Sequence, residues 1–135
     1  MNLKSVSIFF LRVLLIFVFA GAGIAKFKGL EISTPLFQAL GMEPGGRYFI
    51  GFLELLTALL LLLPFTVTSG ALLGWGILSG ALLAHLTKVG VGGDMLPMTT
   101  AALSGWLACG ALIFLRRDQI TFIRHMFDCQ RDRDA

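Results

Sequence analysis

Charge is scarce in this sequence. Only 14% of its 135 residues are Asp, Glu, Lys or Arg, against about 25% in an ordinary soluble domain. The deficit lies in long apolar runs rather than a scattered core, which excludes a typical soluble globule. The formal net charge is +3. It is small and dispersed, which excludes a nucleic-acid-binding surface. Cysteine is also sparse: Cys109 lies in an apolar run and Cys129 in a charged tail, with no CxxC. Neither a disulfide framework nor a thiol redox motif is expected. The two histidines, His85 and His125, fall in different segments without metal-ligand spacing, so no metal site is expected. Gly90-Val91-Gly92-Gly93 lacks the strand and helix context of a phosphate-binding loop.

What the sequence does have is four long apolar runs. They place spans over 5–25, 47–63, 69–86 and 97–115, with Pro64 closing the second. The bilayer core requires about 20 helical residues, with about 17 as the lower limit, so the second span is short. The last two connections are brief, so neighbouring helices should run antiparallel. Ala20-Gly21-Ala22 resembles a signal-peptide cleavage site, but Arg12 interrupts the apolar region such a peptide needs. The first run therefore reads as a retained helix. The expected fold class is all-α: an integral membrane four-helix bundle over 1–117, followed by a tail over 118–135.

Two further elements are predicted. In the loop 26–46, Thr34 and Pro35 form a helix-start signal, and Leu36, Phe37 and Leu40 form one apolar face ending at Gly41. This predicts a short helix in the membrane interface; the alternative is a loop dipping onto the bundle. In the tail, Ile120, Ile123, Met126 and Phe127 recur at helical spacing beside Arg124, Asp128 and Arg131, predicting an amphipathic helix on the cytoplasmic surface. The pairs Gly70/Gly74 and Gly76/Gly80 read as helix-packing signals, with a homo-oligomer contact as an alternative use. Trp75, Trp106 and Tyr48 read as packing or interface aromatics. Four spans put both termini on one side. Lys4, Arg116, Arg117 and Arg124 flank that side, and Lys26, Lys28, Arg47 and Lys88 flank the other. Arg131 and Arg133 tip the balance toward cytoplasmic termini.

Four ionisable residues lie in or beside the spans. Glu54 sits in Gly51-Phe52-Leu53-Glu54-Leu55-Leu56, deep in the second. A charge there is costly and points to a partner, water or a function. Arg12 and Lys26 are 14 residues apart, within about 40° of one helix face and about 21 Å apart along the axis. Lys26, Glu54 and His85 are expected to meet in the outer half of the bundle, with Arg12 reaching toward Glu54 from below. Such a cluster either fixes helix register or lines a polar pocket for a lipophilic headgroup or a moving proton.

Gly21-Ala22-Gly23-Ile24-Ala25-Lys26-Phe27 resembles the end of the first helix in DoxX-like membrane proteins. Gly51-Phe52-Leu53-Glu54-Leu55 resembles the second-helix motif of that family, and Leu63-Pro64, Gly70 and His85 continue its layout. The resemblance covers roughly residues 8–115 and implies a four-helix protein, here of a bacterial inner membrane. Some relatives are membrane subunits of quinone-linked oxidoreductases such as thiosulfate:quinone oxidoreductase; more distant ones are chaperones or cargo receptors. The resemblance carries over Arg12, Lys26, Glu54 and His85 as the family's polar residues. As a ligand-binding set, Glu54 is expected to be the catalytic, proton-accepting or headgroup-binding residue, His85 and Lys26 to hydrogen-bond the headgroup, and Arg12 to hold the charge of Glu54. A quinone is the implied cofactor and an oxidoreductase the implied partner protein. The chain itself has no flavin, haem or iron–sulfur pattern. The leading expectation is thus an accessory subunit of a redox system. Its rivals are a non-catalytic assembly or chaperone-like module and a small proton-coupled carrier, the last disfavoured because no inverted repeat is visible.

Overall fold

A chain in lipid must satisfy its backbone polar groups internally, so apolar runs of this length fold as helices. The computed structural model describes residues 2–31, 33–118, 129 and 131, and contains helices without strands among them. Helix α1 spans Leu3–Lys28, α2 Thr34–Ala39, α3 Gly45–Leu62, α4 Val67–Ala84 and α5 Leu96–Leu115. All but α2 are long and apolar enough to cross a membrane, α4 with the helical turn His85–Val89 that extends it. The amphipathic tail helix predicted over Ile120–Phe127 lies outside the described residues.

The four spanning helices form a ring in which α1 packs on α3 and α5, and α4 packs on α3 and α5. Leu15, Phe19, Leu61, Val67, Ala71 and Leu112 fill its centre. Phe17, Phe65, Leu83 and other large apolar side chains point outward, as expected for a lipid-facing surface. The start of α1 is tied to the segment just past α5: Lys4 Nζ lies 2.8 Å from Asp118 Oδ2. That contact and the ordinary attraction of Lys4 hold the Asp118 carboxyl below its usual pKa.

Helix α1 approaches α3 closely because both carry glycine at the crossing. A Cβ on Gly23 would lie 2.9 Å from the Gly51 carbonyl oxygen. One on Gly51 would lie 3.1 Å from Lys26 Cβ. Gly74 similarly accommodates the Phe19 ring, and Gly70 the backbone of α3. Small residues at such points let helices gain dispersion contacts where lipid offers no hydrophobic drive. Gly76 and Gly80 behave differently from the packing reading: a Cβ on either meets nothing within 4 Å.

The carbonyls freed at the end of α3 are fully accounted for. Pro64 has no N–H to continue the ladder. Thr66 Oγ1 donates to Leu60 O at 2.7 Å, and the Arg12 guanidinium donates to Leu61 O and Leu62 O. A cation at a helix C-terminus is also favoured by the helix dipole. Burial and the nearby positive charge of Arg12 lower the pKa of Arg116 on the same side. Helix α2 begins after Ser33 and is followed by Gly41 at φ 67°, the left-handed stop expected from the sequence. Its buried residues are Leu36 and Phe37. The predicted apolar face is correct, but it is turned onto the bundle.

Candidate functional site

Residues from every helix surround a cavity of about 860 Å³ on the side of the bundle away from the start of α1 and the end of α5. Helix α2 contributes Leu36 and Phe37, and the lining also includes Gly76 and Gly80 of α4 and Ala101 of α5. The absent side chains at Gly76 and Gly80 help to make this space, which explains why neither packs against a neighbour. The lining is almost wholly apolar. Its polar side chains are Lys26, Ser33, Glu54 and His85.

Lys26 and Glu54 form the polar centre. Lys26 Nζ donates to Glu54 Oε1 at 2.8 Å and lies 2.8 Å from Oε2, which is buried and receives no hydrogen bond among the described residues. Side-chain exposure is 12% for Lys26 and 7% for Glu54, so the pair is held away from solvent and bulk screening is weak. Each residue lies three positions past its crossing glycine, Lys26 after Gly23 and Glu54 after Gly51. Cα–Cβ bonds tilt toward a helix's N-terminus, so on antiparallel helices these two side chains lean toward each other. The glycine crossing thus sets the spacing that the ion pair requires.

His85 is buried where α4 gives way to a π-helical turn, His85–Val89, closed by Gly90 N–H donating to His85 O at 2.8 Å. Its Nδ1 lies 2.8 Å from Ala81 O. Nε2 is buried and has no hydrogen-bond partner among the described residues. π-Turns of this kind are frequent at functional sites.

The structure brings three of the four expected residues together: Lys26, Glu54 and His85 line one cavity. Arg12 is placed elsewhere. Its guanidinium is bound at Leu61 O and Leu62 O, seven residues beyond Glu54 or about 10 Å along the axis. The charge of Glu54 is held by Lys26 instead.

Two features were not drawn from the sequence. Ser33 is buried at the cavity, its hydroxyl donating to Leu30 O at 3.1 Å. Its signal in the sequence is a second hydroxyl, next to Thr34, at the helix start. Arg47, one of the charges flanking the spans, is buried and pairs with Glu43 Oε1 at 2.6 Å. It also donates to Lys26 O and lies over the Tyr48 ring. The i,i+4 spacing of Glu43 and Arg47 carried that signal. Trp75 and Trp106 stack at 5.3 Å between α4 and α5, with Trp106 Nε1 donating to Ser79 Oγ. Both cysteines, Cys109 and Cys129, are free.

A family model described as the DoxX-like family matches residues 10–107, well over half of the chain. No curated protein and no solved structure matches it. The matched stretch contains Arg12, Lys26, Glu54 and His85.

Proposed function

The chain belongs to the DoxX-like family, an integral membrane context, and from there we propose that it binds a lipophilic small molecule with a polar head. The observation carrying this reading is the apolar cavity with the Lys26–Glu54 pair in its wall. Cavities of about 300–1,000 Å³, mostly apolar with a few convergent polar groups, are the usual form of small-molecule sites. The apolar walls take the body of the ligand, and the polar wall takes its head. An ammonium carries three N–H donors. Glu54 engages two at most, so one serves a ligand oxygen. Leu36 and Phe37 cover the bound molecule from α2.

A quinone or quinol fits this donor set: a ring with oxygen atoms for Lys26 and an isoprenoid or alkyl tail for the apolar wall. In this reading Glu54 is the headgroup-binding and proton-accepting residue, Lys26 and His85 bind the head, and Arg12 supports α3 from outside the cavity. The protein would serve as an accessory component of a bacterial inner-membrane redox system, with cytoplasmic termini and an oxidoreductase bringing any further cofactor. The Lys26–Glu54 pair also ties α1 to α3, so it has a structural role beside the ligand role.

A titration of decyl-benzoquinone and its quinol into the full chain in nanodiscs tests the reading. At least one should bind saturably, and Gly80→Leu should remove that binding by filling the cavity. Absence of binding for both, or binding unchanged in Gly80→Leu, overturns it.

A further inference from the structure

His85 uses only half of its ring. Nδ1 lies 2.8 Å from Ala81 O, and a carbonyl oxygen only accepts, so Nδ1 carries the hydrogen. In the neutral ring Nε2 then presents a lone pair. That atom is buried and receives no hydrogen bond among the described residues, and His85 is among the residues that line the cavity. Buried acceptors are nearly always satisfied, and one left unpaired is costly.

The other polar groups of the cavity do not supply the missing donor. Lys26 Nζ donates to Glu54 Oε1 and makes no hydrogen bond to His85 Nε2. The Ser33 hydroxyl hydrogen is committed to Leu30 O. Local backbone also fixes the ring: Ala81 O receives both the His85 N–H and Nδ1–H, and the π-turn follows at once. The acceptor is therefore held in one tautomer at the wall of an apolar space.

We propose that the cavity selects ligands whose head donates a hydrogen bond, a hydroxyl group above all, and that His85 Nε2 accepts it. The inference rests on the cavity being a ligand site, as proposed above. Alcohols, phenols and quinols meet the requirement. Ethers, ketones and quinones accept only, and would leave Nε2 unpaired. Sites built to hydrogen-bond a hydroxyl discriminate strongly against analogues lacking one. A preference on the order of tenfold follows from one unpaired buried acceptor.

The test compares 4-nonylphenol with its methyl ether, two ligands of nearly equal apolar body. Each is titrated calorimetrically into the full chain in nanodiscs, into His85→Phe and into Gly80→Leu. The phenol should bind the native chain about tenfold or more tightly than the ether, and the preference should collapse in His85→Phe. Equal native affinities, both lost in Gly80→Leu, overturn the donor requirement and keep the cavity reading. A preference that persists in folded His85→Phe overturns the assignment to His85. If neither ligand binds, or Gly80→Leu changes nothing, the cavity reading itself fails and this inference with it. The native comparison stands even where His85→Phe does not fold.

Discussion

Replacing Glu54 with Gln leaves Lys26 as a buried cation without its counter-charge. At 2.8 Å and an effective dielectric of about 20, the pair's direct attraction is about 6 kcal/mol. Desolvation of two ions offsets most of that gain, so the net stabilisation is much smaller than the attraction. Losing one partner forfeits the attraction while the desolvation of the other remains. Glu54→Gln and Lys26→Met should therefore each cost about 3–5 kcal/mol, whereas the double variant should cost far less than their sum. Steric-trapping unfolding in bicelles measures all four stabilities and yields the coupling energy directly. A coupling above about 2 kcal/mol is expected from the same offset. Additive losses would refute the reasoning, because they mean that the pair is not an isolated buried unit. The double variant also separates structure from binding: it should fold, yet lose affinity for a polar-headed ligand.

Other outcomes follow from the same geometry. Gly23→Leu should destabilise by about 1–3 kcal/mol through overpacking, because its Cβ meets the Gly51 carbonyl oxygen at 2.9 Å. Gly80→Leu should leave the unfolding temperature nearly unchanged, since its Cβ meets nothing within 4 Å; comparing the two melting curves checks both. Arg12→Met should cost about 1–3 kcal/mol by freeing the Leu61 and Leu62 carbonyls, with ligand affinity preserved in a titration of the folded variant. The Asp118 carboxyl is held below its ordinary pKa by Lys4. Its stabilisation is thus present above the unfolded value and lost as pH falls through the lower folded value. Carbon NMR should show the Asp118 midpoint rising in Lys4→Ala with no measurable change in thermal stability at neutral pH, because both side chains are largely exposed.

The spanning helices were legible because length and hydropathy alone dictate them, and the family resemblance was carried by the ordered motifs around Lys26, Glu54 and His85. The meeting of Lys26 with Glu54 was legible too, since a buried charge demands a partner and both lie toward the same membrane side. Arg12 was not legible in the same way. Its helical phase matches that of Lys26, but phase says nothing about competing acceptors. The decisive acceptors are carbonyls freed by Pro64, which become visible only once α1 and α3 are packed. Gly70 and Gly76 show a second limit. Each opens a small-residue pair four apart, yet one pair meets neighbouring helices and the other bounds a cavity. Which face of a uniformly apolar helix turns toward protein is decided by the neighbours, not by its periodicity. The same holds for α2: sequence defines its apolar face, and packing turns that face onto the bundle.

The central claim is that the cavity holds a lipophilic molecule, and native mass spectrometry of the chain released from gently extracted membranes tests it without choosing a ligand in advance. The account predicts an added mass matching a small lipophilic molecule on the native chain, absent from folded Gly80→Leu and diminished in folded Lys26→Met/Glu54→Gln. A native chain that emerges bare, or one whose added mass survives unchanged when the cavity is filled, would contradict it.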